Sequence, residues 1–170
     1  MYERGEQEEA AMKRKLRIDL NELDMALNFG ISAFSHYLDL HTGRVLRVDD
    51  MDWTPQSLLQ QRGDACEWKR DVLLDAARVA FDGQGRYLAI EPGDPYRDHD
   101  DMLTFVATLE DEDLQEQLQC AIYDRGASCC FRRVVARYPD LQEQWYAHKD
   151  ARAERRVLRW LEKHGIERIA

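Results

Sequence analysis

SHYLDLHTGRVLRV, residues 35–48, commits the chain to containing a β-sheet. Tyr37, Leu38 and Leu40 precede His41-Thr42-Gly43, and Val45, Leu46 and Val48 follow it. Two β-rich runs around a glycine-containing turn read as a hairpin. A two-stranded ribbon is marginal alone, so a further strand is needed. RYLAIEP, residues 86–92, supplies it: Tyr87, Leu88 and Ile90 carry the strand character, and Pro92 ends the pairing.

Helical patterns surround these strands. In IDLNELDMALNFG, residues 18–30, Leu20, Leu23 and Leu27 follow helical spacing; Asp19 offers a cap, Glu22 stands three residues later, and Gly30 closes the segment. WTPQSLLQQ, residues 53–61, opens with Thr54 and Pro55 as a cap and a first-turn proline. Residues 66–81 repeat Trp68, Val72, Leu73, Ala76, Ala77 and Ala80 at helical spacing. From Pro95 onward every periodic segment is helical: 102–109, 113–122, 129–138, and a long terminal run after Pro139. The expected architecture is α+β, a small three-stranded antiparallel sheet packed with helices and a C-terminal half that is all-helical. The 170 residues suffice for one core, so a single domain is expected over 16–170, behind a charged tail or frayed helix at 1–15.

Apolar runs span only a few residues, against the roughly 20 that a membrane-spanning helix needs. The opening MYERGEQEEAAMKRK has no apolar segment behind its charges, unlike a signal peptide. A soluble cytoplasmic protein is expected, with Cys66, Cys120, Cys129 and Cys130 reduced. The net charge of -9 is unevenly placed. Residues 125–170 carry 11 Lys/Arg against 6 Asp/Glu, whereas residues 1–124 carry 13 against 27. A basic end on an acidic body favours a protein partner with complementary patches, or self-association into a homo-oligomer, over nucleic acid.

Three stretches together resemble a known family: YLDLHTGRV (37–45), FVATLEDEDLQEQL through DRGA (105–127), and FRRVVARYPDLQEQWYAHKDARAERRVLRWLEKHGI (131–166). The chain is similar to uncharacterised protein family 0158, small bacterial proteins with no assigned activity. That resemblance implies membership but transfers no catalytic residues. Against the family's pattern, Ser128, Cys129 and Cys130 stand where an aromatic residue followed by basic residues is expected, and Phe131 and Arg132 keep the later positions.

No catalytic signature is present, and no cofactor or metal is expected. The cysteine pair in RGASCCFRRVVARY, residues 125–138, reads as two small residues at a helix start, with Ser128 as cap and Cys130 on the face of Val134. The acidic residues of DPYRDHDD, 94–101, read as complements to the positive end of a helix. Arg152, Arg156, Arg159 and Lys163 fall four, three and four apart on one stripe. The function expected is a non-enzymatic binding or regulatory module, presenting Arg125, Gly126, Arg132, Arg133, Arg152, Arg156 and Arg159 to an acidic protein, nucleic acid or anionic ligand. Its alternative is an enzyme, thiol-based at Cys129 or divalent-cation-dependent at Asp94 to Asp101.

Overall fold

The structure, a computed structural model, describes residues 14–28, 34–49, 54, 56 and 67–169. The hairpin forms as its turn chemistry requires. Strands β2 (Phe34–Asp39) and β3 (Val45–Asp49) pair antiparallel with Leu38 opposite Val45. Strand β4 (Tyr87–Ile90) lies antiparallel on the other side of β2, giving the order β3-β2-β4.

Asp39 organises the turn. Its carboxylate accepts from the His41 amide at 2.9 Å and the Thr42 hydroxyl at 2.8 Å. Arg86, just before β4, donates to it through Nε at 2.8 Å and through its terminal nitrogen at 2.6 Å. A buried carboxylate is tolerable only when paired and bonded in this way. The Arg86 guanidinium holds Asp39 far below the usual carboxylate range; burial opposes, and the His41 and Thr42 bonds add to the lowering. Gly43 has φ +76°, and a Cβ there would lie 1.9 Å from the Arg17 carbonyl oxygen. Only glycine allows the turn to rest on that backbone.

Arg17 belongs to β1 (Arg14–Arg17), which pairs in parallel with β5 (Ile166–Ile169), Arg14 opposite Ile166. The second half is therefore helical as far as Lys163 and then returns to strand. Gly165, at φ +66°, reverses the chain after the last helix, and Ile166 is buried against the N-terminal segment.

Between the strands lie α1 (Leu20–Asn28), which the Asp19 carboxylate caps through the Asn21 amide at 2.8 Å, and α2 (Glu67–Ala80). The helix expected to start at Thr54, the glycine expected to close α1 and the tail through residue 13 lie outside the described residues. The helical half comprises α3 (Arg97–Val106), α4 (Glu112–Tyr123), α5 (Ala127–Val135) and α6 (Pro139–Lys163). Among the described residues no helix is long and apolar enough to cross a membrane.

Two cores result. One gathers Leu16, Leu23, Leu27, Leu38, Ile90 and Ile166; the other centres on Phe105, Phe131 and Trp145, whose rings meet edge to face at 4.8–6.3 Å. Helix α6, about 37 Å long at 1.5 Å per residue, serves both. Leu141 and Trp145 enter the aromatic core, and Val157 and Leu161 enter the other.

Candidate functional site

Between those two apolar contacts the inward face of α6 becomes polar, presenting His148, Arg152 and Arg156 at successive turns. Opposite them stands Asp101 of α3, fully buried although it shares a face with Phe105 one turn on. Arg152 Nε donates to Asp101 Oδ1 at 2.5 Å. Arg156 donates from one terminal nitrogen to both Asp101 oxygens, at 2.9 and 3.0 Å. Arg152 also pairs with Asp100. One buried carboxylate thus fixes two guanidinium groups. Thr104 caps the arrangement from α3, its hydroxyl lying 3.2 Å from His148 Nε2. Burial, and then the Arg152 charge, lower the His148 pKa from its ordinary value near 6.5.

The outer side of this cluster is a small concavity of about 180 Å³. Arg152, Arg155, Arg156 and Arg159 form its α6 wall, and Asp94, Arg97 and Asp100 close it from the start of α3. Arg97 is tied back to the Leu27 carbonyl at the end of α1, at 3.3 Å, and the Gly93 amide bonds the same oxygen at 2.8 Å. Among the described residues, Arg155 and Arg159 make no ion pair. Five guanidinium groups face three carboxylates, Asp94, Asp100 and Asp101, so the concavity holds a surplus of two positive charges. This surplus stands out in a chain of net charge -9.

The stripe expected on α6 therefore divides. Arg152 and Arg156 turn inward to Asp101, while Arg159 and Lys163 stay exposed. The acidic residues of 94–101, expected to complement the positive end of a helix, divide: Asp98 and Asp100 stand in the first turn of α3, whose N-cap Tyr96 makes no side-chain bond, while Asp101 is an internal counter-ion. The signal was present in the spacing, since Asp101 falls with Met102 and Phe105 on the apolar side of the segment.

The other expected residues lie apart from this concavity. Gly126, at φ +81°, is itself the N-cap of α5 and accepts the Cys129 and Cys130 amides on its carbonyl at 2.8 and 3.1 Å. Ser128 is thus inside the first turn and caps nothing. Phe131 takes the buried position, whereas Cys130 is half-buried with its Sγ 3.8 Å from the Asp124 carboxylate. The Arg125 amide bonds the Asp124 side chain at 2.7 Å, and Arg132 Nε bonds the Ser128 carbonyl at 3.0 Å. Arg133 instead lines an open groove between α4 and α5, beside Cys120, Cys130 and Arg137.

Cys129 is exposed, and Arg132, three residues on, bonds the Ser128 backbone carbonyl through its Nε. Asp100 and Asp101 face guanidinium groups, so a divalent cation would have to displace arginines already paired there.

Fold and site together define an α+β protein whose longest helix carries an arginine cluster locked to a buried aspartate. The model of the Uncharacterised protein family (UPF0158) matches residues 13–170, and the chain belongs to that family. It is similar to the UPF0158 protein of Pseudomonas aeruginosa, with 27% identity over 157 residues, covering 92% of this chain and 89% of that protein. No solved structure matches the chain.

Proposed function

We propose that this chain is a non-enzymatic binding module that holds an anionic partner on the arginine surface of α6. The reading takes it to act in the bacterial cytoplasm, where exposed thiols such as Cys120 and Cys129 stay reduced. The observation that supports it is the pairing pattern along α6. Arg155 and Arg159 have no carboxylate partner among the described residues, while Arg152 and Arg156 beside them are held in place by Asp100 and Asp101. Arg152 and Arg156, already oriented, lose less side-chain freedom when they meet an oxyanion, and Arg155 and Arg159 beside them add exposed charge. The partner is reached at short range, because the acidic body repels an extended polyanion until contact is made. Arg97 joins Arg152, Arg155, Arg156 and Arg159 in this site, and the arginines of α5 take no part in it.

The test is a thermal-shift panel of phosphate, phosphoserine, pyrophosphate, an oligo-glutamate peptide and a short oligonucleotide, run on wild type and on R155E/R159E. At least one anion should raise the wild-type Tm by several degrees, and the double variant should lose that shift. Both positions are exposed, so the variant's own stability should change by no more than about 1 kcal/mol. A panel in which no anion acts, or in which R155E/R159E responds as wild type does, overturns the reading.

A further inference from the structure

On the basis of that reading, we propose that the concavity between α3 and α6 is a subsite for a single dianionic phosphate monoester on a small molecule. Size is the first argument. About 180 Å³ is below the roughly 300–1,000 Å³ of pockets that enclose drug-sized ligands, so the space takes a group and leaves the rest of the ligand outside. Charge is the second. The surplus of two positive charges matches the -1.5 to -2 that a phosphate monoester carries near neutral pH.

The third argument is the arrangement of donors. Arg155 and Arg159 are one turn apart on α6 and make no ion pair among the described residues, and Arg97, one terminal nitrogen of which bonds the Leu27 carbonyl, lines the cavity from α3. Bidentate arginine contacts of this kind suit the oxygens of phosphate better than a point charge would. Finally, Asp94 and Asp100 stand among the lining groups. Carboxylates there repel a second phosphate and accept hydrogen bonds from hydroxyl or ammonium groups of the ligand body. The site therefore selects one phosphate on a polar skeleton and disfavours polyphosphate and nucleic acid.

Isothermal titration at pH 7.5 with phosphoserine, glucose 6-phosphate, pyrophosphate, sulfate and the oligo-glutamate peptide tests this. At least one monoester should bind, at least tenfold more tightly than pyrophosphate or the peptide, and R155E/R159E should weaken it at least tenfold. Which monoester binds more tightly identifies the skeleton. Because the second phosphate ionisation lies near 6, the monoester should bind roughly tenfold more weakly at pH 5 than at pH 7.5. Sulfate, dianionic throughout that range, should not weaken on acidification. It serves as the control for the groups that face the ligand: Asp94, Asp100, buried Asp101 and the arginines of both helices, with His148 one turn before Arg152. Pyrophosphate or peptide binding as well as the monoesters, or acid weakening shared by sulfate, overturns the monoester assignment and leaves the anion-binding reading standing. No binding by any of these anions overturns both.

Discussion

Asp101 is worth more to this molecule than its single charge suggests. It is fully buried, and two half-buried arginines depend on it for compensation. Removing one member of a buried ionic cluster leaves the others desolvated and unpaired, at a cost of about 3–5 kcal/mol. Asp101→Ala should therefore lower the urea-unfolding free energy by about 3 kcal/mol. The triple change D101A/R152M/R156L should recover most of that loss, because apolar side chains of similar volume need no counter-charge. Recovery would show that the ionic cluster makes little net contribution to stability. A triple variant no more stable than D101A would assign it to stability instead.

At the scale of elements, the hairpin was legible because its determinants are local. Asp39, Thr42 and Gly43 sit within five residues of one another, and turn chemistry at that range is written in residue order. What could not be read was the surface on which the turn rests. The Arg17 carbonyl occupies the space a Gly43 side chain would fill, so Gly43→Ala combines a disfavoured φ with a backbone clash. It should destabilise by about 3 kcal/mol, measured as a lower denaturation midpoint with an unchanged m-value. Strands β1 and β5 were hidden for a related reason. RKLR and IERI are as short as YLAI of β4 but interleave charges with their apolar residues, so neither has its strand character, and each pairs with the other. The spacing marked Asp101 for the apolar side of α3, but its partners Arg152 and Arg156 lie on a helix far along the chain. By contrast, the apolar face of α1 was readable, since helical spacing marked Leu23 and Leu27 without help from a partner.

For the whole molecule, His148 and Asp39, in different parts of the structure, contribute to the response to acid. His148 has a lowered pKa, so the unfolded chain binds the additional proton first, and the native state loses stability as pH falls from about 6.5 toward the lowered value. Asp39 is also lowered, from an ordinary value of 3.8, and its contribution is complete above that value and is lost as pH falls below it. Denaturation midpoints should thus be level above about pH 7, decline below about 6.5, and decline again below about 4. His148→Phe, which keeps the ring between Phe105 and Trp145, should remove the first decline only. Asp39→Asn should reduce the second, with a lower midpoint at neutral pH. A single decline unaffected by either change would mean that other groups govern the response.

The pairing of β1 with β5 has one more consequence, and it concerns synthesis. Parallel strands need a crossover, and here everything from α1 to α6 is that crossover. While the chain emerges from the ribosome, Leu16 and Ile18 can meet Leu23 and Leu27 early, but the Arg14 amide waits for the Gly165 carbonyl, which it bonds at 2.9 Å. The aromatic core, built from segments between Met102 and Trp145, can close first. Translation that halts before Ile166 would leave β1 exposed as an unpaired edge, marking the unfinished chain for chaperones or proteases.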